Sequence, residues 1–485
     1  MNNLTLLAIS VYFAMMLGIG IYAWRKSTAD SSEYLLSGRS LGPAVTALAA
    51  GASDMSGWLM LGLPGALYVS GLAESWIAIG LFLGAWANWV LVAPRLRAQT
   101  EQYDDSLTIP EFLGNRFADD SHILRIVASL VIVVFFAVYS ASGLVAGGKL
   151  FETAFGFSYQ TGLWVTASVV VAYVVLGGFL AVSLTDFVQG TIMMIALVAL
   201  PIVALADFGE GASVSDILRD IDPNMLSLFG GTSALAIISA AAWGLGYFGQ
   251  PHIIVRFMAI RSVKDIPTAR FIGLAWMGIS LVGAIAVGLI GRAWFSVHAT
   301  PLTDPETVFI VLGQVLLHPL ALGFLLSAIL AAIMSTISAQ LLVTGSSLTE
   351  DFYRLFVRRQ AGETEIVTVG RLSIVAVAAV AMLLAQNPNG SVLKLVANAW
   401  AGFGAAFGPV ILLALMWPRM TRGGALAGMV TGAVVVIVWI QAGWSATLYE
   451  LVPGFAAAMA AIVVVSLLTK TPAERADAPT VQGIA

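Results

Sequence analysis

The chain has no cysteine and only four histidines among 485 residues. Disulfides, thiolate metal sites and a thiol nucleophile are excluded from the outset. His122, His252, His298 and His318 are scattered, with no metal-ligand spacing. Charge is scarce as well: Asp, Glu, Lys and Arg make up 10% of the chain, against roughly 25% in soluble domains. No glycine-rich phosphate loop, nucleophile–base arrangement or nucleic-acid signature stands out. Neither an enzyme nor a nucleic-acid binder has support. The N-terminus lacks the basic region and cleavage site of a signal peptide, so its first apolar run reads as a retained span.

What the chain does have is apolar length. Hydrophobic residues make up 59% of it, and the mean hydropathy is +0.92. The expected fold class is an all-α polytopic membrane protein with 13 transmembrane helices of roughly 20 residues each. In order, the predicted spans are Leu4–Trp24, Gly42–Ser70, Ala73–Ala93, Ile123–Gly147, Tyr159–Phe179, Val182–Asp207, Ala234–Phe257, Phe271–Phe295, Pro319–Leu342, Val367–Ala385, Val392–Trp417, Gly424–Ile440 and Leu448–Leu468. An amphipathic piece is expected at Val214–Ile221, a loop or short helix at Thr300–His318, and a turn at Asn387–Gly390. Of the 23 Lys and Arg, all but Lys149, Arg219, Arg292 and Lys394 then fall on one side. The positive-inside rule sets the N-terminus outside and the C-terminus in the cytoplasm. An even count would put half of this pattern on the wrong side.

Polar or helix-breaking positions inside spans are costly, so they are where function is sought. The second span carries Gly51-Ala52-Ser53-Asp54-Met55-Ser56-Gly57-Trp58, and a central Asp costs roughly 3 kcal/mol on insertion scales. Two readings stand. One is a helix broken in mid-membrane, whose freed backbone groups bind a ligand. The other is a glycine-kinked span with Asp54 hydrogen-bonded to a neighbouring helix. The seventh span, with Trp243-Gly244-Leu245-Gly246-Tyr247-Phe248-Gly249-Gln250-Pro251-His252, reads as a second break, or as glycine packing plus a proline kink.

Breaks five spans apart match an inverted-repeat transporter. The chain then divides into an N-terminal helix and loop (1–41), a first repeat (42–231), a second repeat (232–417), two peripheral helices (418–469) and a disordered cytoplasmic tail (470–485). In the ninth span, Ser335 and Thr336 either add neutral oxygens to carbonyls freed at Ala52–Met55 or bond back to their own preceding turn. Oxygen-only ligands suit a hard monovalent cation. Tyr139 and Trp58 complete an aromatic cage with Trp243 and Tyr247, the alternative for Tyr139 being an interface anchor. Asp186 is a cation stop on an exit path or a helix cap. Glu74 is a gate residue or a solvated helix end.

At these residues the chain resembles the sodium–solute symporter family, from about Ala23 to Leu468. The most specific stretches are Gly38-Arg39-Ser40-Leu41-Gly42-Pro43, Gly51–Trp58, Trp243–His252, Ala328–Ser338 and Trp400–Pro409. The resemblance implies a LeuT-type core of two inverted five-helix repeats, with one helix before it and two after. It implies a Na⁺ site built from the carbonyls of Ala52, Met55 and Ala332 and the hydroxyls of Ser335 and Thr336, with the essential acid Asp54 beside it. It also implies a proline pocket on Ser56, Gly57, Trp58, Tyr139, Trp243, Tyr247 and Pro251, and puts Asp186 on the sodium-release path.

The expected activity is Na⁺-coupled uptake of L-proline by alternating access, in a bacterial inner membrane. Na⁺ is the co-transported ion. Lipids surround the protein, and no catalytic residue or obligate protein partner is implied. The rival readings are a different small solute (another amino acid, pantothenate, a sugar), a proton as coupling ion with Asp54 titrating, and a membrane sensor module. The short stretch after the last span leaves the sensor without a signalling domain.

Overall fold

A computed structural model describes residues 2–26, 31–209, 213–300, 302–387 and 391–469. Helices make up nearly all of them, and the β pairing among them is a single bridge between Leu41 and Ile260. Ten helical stretches among the described residues are long and apolar enough to cross a bilayer. Two are long enough for two crossings. Trp58–Gln102 has 45 residues and Tyr159–Asp207 has 49, where a bilayer needs roughly 20.

Each of these two runs turns at a glycine. Gly71 has φ 76° and ψ −160°, and Gly178 has φ 55° and ψ −145°. Both are backbone regions that residues with a Cβ avoid. At Gly178 the carbonyl of Tyr34 also lies 2.6 Å from where a Cβ would stand. The fifth and sixth predicted spans are thus joined at one residue, without a loop.

Apolar character on all sides buries a helix. Every residue of Leu325–Leu342, within the helix Pro319–Ser346, is buried. The helix Val392–Met416 is nearly as enclosed, with Trp400–Leu412 buried throughout. By contrast Asn3–Lys26, Glu363–Leu384, Arg422–Gln441 and Leu451–Leu468 expose many large apolar side chains, as lipid-facing helices do. The last two of these dock on Val392–Met416 through small residues: a Cβ at Gly454 would meet Ala405 at 2.8 Å.

The amphipathic helix occupies Val214–Ile221, as its pattern indicates. The 300–318 region holds a 3₁₀ turn, Pro305–Thr307, and a helix, Val308–Leu316. One boundary differs clearly. The helix expected to end near Leu342 runs to Ser346 and winds on in π turns to Val357. Its polar end is satisfied by distant partners: Arg125 donates to the buried Asp351 at 2.8 and 3.0 Å, and Thr108 and Ser347 add hydroxyls at 3.0 and 3.2 Å. Residues 388–390 of the expected turn and 470–485 of the expected tail lie outside the described residues.

Replacing Gly178 by Ala should cost roughly 1–3 kcal/mol in backbone strain alone, before the clash with Tyr34. A lower melting temperature of the detergent-solubilised variant, with less protein in the membrane, is the expected result.

Candidate functional site between two interrupted helices

The helix Pro43–Asp54 stops at Met55, whose φ −82° and ψ 77° leave the helical region, and the chain resumes in π turns at Trp58–Gly62. In a continuous helix the N–H of Ser56 would bond the carbonyl of Ala52. Here that N–H turns to the carbonyl of Asp54 at 3.0 Å. The Ala52 carbonyl takes another donor: the Ser335 hydroxyl, 2.7 Å away on the Pro319–Ser346 helix. Ser335 also reaches back to Ala332 at 3.2 Å, and Thr336 to the same carbonyl at 3.3 Å. Ser335 thus bonds both across to the break and back to its own turn, while Thr336 bonds back to its own turn. Ala52, Ala332, Ser335 and Thr336 converge, and Met55 lies one turn beyond Ala52 at the break.

The second interruption is a 3₁₀ run, Ala242–Gly249, between helices Ala234–Ala241 and Pro251–Ala259. Its glycines serve packing as well. A Cβ on Gly246 would overlap the Trp400 indole. The aromatic side chains gather around the two breaks. Trp58 lies 6.2 Å from Trp243, and Tyr247 meets Trp400 edge-on at 5.2 Å. Trp400 donates to the Trp243 carbonyl at 2.8 Å, and Gln250 to the Trp400 carbonyl at 3.1 Å. Tyr139 is buried and packs edge-on to His252 at 5.8 Å, so it is no interface anchor.

Asp54 is buried, and Tyr247 donates to its Oδ2. The opening motif thus combines a broken helix and a carboxylate held by a neighbouring element. Asp54 Oδ1 and both amide atoms of Asn88 have no protein partner. They line one cavity of about 350 Å³ with Trp89 and Tyr247. Unpaired buried polar atoms around such a space are where ordered water settles. Of the backbone donors after the break, the N–H of Trp58 reaches the Ser56 hydroxyl only at 3.5 Å. Gly57 packs against Ala146 of the neighbouring helix Ile123–Phe155.

Two residues stand elsewhere than the pattern suggested. Pro251 faces a separate cavity of about 350 Å³, lined by Thr108, Phe179, Val255 and Ser347 among others. Asp186 is no helix cap. It lies two turns beyond Gly178 within its helix, fully buried, and pairs with Arg256 at 3.1 Å. Arg256 in turn donates to the His252 carbonyl at 2.5 Å and sits 5.3 Å from the Phe179 ring centre. Sequence reasoning counted Arg256 as a cytoplasmic flank, but it is an interior charge. Glu74 ends a 3₁₀ turn, half-buried. Asn88 and Trp400 also went unassigned to the site, though a lone Asn inside an apolar run carries the same signal as Asp54.

A model of the sodium:solute symporter family matches residues 34–432, which span both breaks and the hydroxyl-bearing helix. The chain belongs to that family. This symporter is 57% identical over 459 residues to the high-affinity proline transporter PutP of Bacillus subtilis, covering 95% of this chain and 97% of that one. It is 53% identical over 471 residues to the osmoregulated proline transporter OpuE of the same organism, covering 97% and 96%. A sodium/proline symporter of Staphylococcus aureus is 53% identical over 483 residues, covering 97% and 94%. Among solved structures, a Na⁺-coupled sialic acid symporter in its substrate-bound outward-open state superposes with a TM-score of 0.82 at 17% identity, over 97% of this chain and 99% of that one. That likeness shows a shared fold. The nucleobase-cation symporter Mhp1 follows at a TM-score of 0.57 and 14% identity, over 93% and 97% of the two chains.

Removing one partner of a buried ion pair strands the other charge, at roughly 3–5 kcal/mol. Asp186→Ala and Arg256→Ala should each cut the yield of monodisperse symporter by severalfold. The double variant should recover much of it, as read by size-exclusion chromatography of solubilised membranes.

Proposed function

We propose that this symporter takes up L-proline together with Na⁺ by alternating access, as a multi-pass protein of the bacterial inner membrane. One observation carries the reading: the Ser335 hydroxyl on the Ala52 carbonyl, which brings oxygens from two helices together at a break. Na⁺ would take the carbonyls of Ala52, Met55 and Ala332 and the hydroxyls of Ser335 and Thr336. Asp54 would stand beside this set, held by Tyr247. Asp186 would receive the ion on its way to the cytoplasm. The names of three relatives, at 53–57% identity, support proline as the solute.

Proline offers a carboxylate, a secondary ammonium and a compact apolar ring. The N–H groups at Ser56–Trp58 suit the carboxylate at the start of a half-helix. The faces of Trp58, Tyr139, Trp243 and Tyr247 suit the ring and attract the ammonium. Na⁺ need not touch the solute. By pinning the first broken helix to Pro319–Ser346 it shapes the pocket, and the coupling runs equally in both directions. One charge crossing 100 mV supplies about 2.3 kcal/mol, enough at about 1.4 kcal/mol per decade for a roughly 50-fold gradient.

Thirteen crossings fit this reading, with the N-terminus outside and the C-terminus in the cytoplasm. The turns at Gly71 and Gly178 and the divided helix at 234–259 support that count. Residues 42–231 and 232–417 would form the LeuT-type inverted repeats, with 1–41 before them and 418–469 after.

Purified protein in proteoliposomes should accumulate labelled proline when a sodium gradient is imposed, and the uptake should be electrogenic. Uptake driven equally by a proton gradient without sodium, or sodium-driven uptake of another solute but not of proline, would overturn the reading. Thr336→Ala should raise the sodium concentration for half-maximal uptake at least tenfold with the protein level retained. Trp243→Ala should raise the KM for proline by a similar factor.

A further inference from the structure

The last two helices lie outside the predicted repeats, yet the loop joining them reaches the aromatic cluster. Residues 442–450 connect Arg422–Gln441 to Leu451–Leu468. Connecting loops usually stay on the surface, but Tyr449 is only 7% exposed. Its ring lies 5.5 Å from that of Trp243, at an interplanar angle of 19°. Such offset stacking holds two rings together beyond the effect of the area they bury.

The loop is pinned from three directions. The Tyr449 hydroxyl donates to the Ala397 carbonyl, on the Val392–Met416 helix, at 2.8 Å. Its backbone N–H donates to the Ser239 hydroxyl, on Ala234–Ala241, at 3.1 Å. Trp439 donates to the Leu448 carbonyl at 2.9 Å, tying the loop to its own helix. Beside it, the fully buried Leu451 fills the notch left by Gly404, with Cδ1 2.7 Å from where a Cβ would stand. The Trp243 indole thus has Tyr449 against it, Trp400 near-parallel at 6.4 Å, and Trp58 at 6.2 Å on the cluster side.

We propose that Tyr449 is a positioning residue for the solute pocket: it sets the plane of Trp243 and makes the final helix pair part of the binding apparatus. This rests on the reading of Trp243 as a wall of the proline pocket. The ring carries the role, and the hydroxyl anchors the loop. Tyr449 touches no solute. Its effect is on how tightly the pocket closes around one, and not on the ion.

The test is sodium-driven proline uptake in proteoliposomes, with protein quantified by immunoblot. Tyr449→Leu should raise KM about tenfold, while Vmax, protein level and half-maximal sodium stay within twofold of wild type. Tyr449→Phe, which keeps the ring, should restore KM to within twofold. An unchanged KM in Tyr449→Leu, or a fall of Vmax and protein level with KM unmoved, would overturn the proposal. A wild type that takes up no proline would overturn the solute assignment instead.

Discussion

A lipid bilayer offers no water to backbone that leaves its helix, so every freed carbonyl and N–H needs a partner inside the protein. Around Asp54–Gly57 that requirement is met by one group distant in sequence and by others close by. Ser335 takes the Ala52 carbonyl, and the Trp58 indole donates to the Asp54 carbonyl at 3.1 Å. The break is therefore a joint, closed partly by its own residues and partly by the Pro319–Ser346 helix through Ser335. The burial of that helix along almost its whole length follows from the same need. A helix that completes another's hydrogen bonds must sit at the centre.

Charge is managed by the same economy of partners. Asp186 and Arg256 are 70 residues apart and both fully enclosed, while Asp351 and Arg125 are separated by 226. Neither pair is evidence of great stability, because the desolvation of two ions offsets much of their attraction. Each pair joins two elements far apart in sequence. Asp186–Arg256 ties the second broken helix to the long bent run at 159–207, and Asp351–Arg125 ties the end of the central helix to the start of Ile123–Phe155.

The sequence was most legible where a residue contradicts its own surroundings. Asp54 in an apolar run, Gly and Pro together at Trp243–His252, and Ser335-Thr336 amid alanines all announced themselves locally. So did the helix at Val214–Ile221, through its amphipathic period. What stayed hidden depended on a partner from elsewhere in the chain. Arg256 near the end of an apolar run looks the same whether it meets water or Asp186. The extension past Leu342 to Val357 needs Arg125 and Thr108 before its carboxylate can be enclosed. Pro251 joins the aromatic residues only through the family resemblance; at the start of its helix it lines a different cavity.

The corner at Gly178 has a mechanical meaning beyond its dihedral angles. Two membrane-length helices meet there at a single residue, with no slack chain between them. Such a bent rod transmits rotation, because a displacement of one arm has no loop in which to dissipate. Tyr34 packs inside the corner and Asp186 grips Arg256 two turns along the second arm. The first arm is therefore linked to the second interrupted helix through one residue and one ion pair.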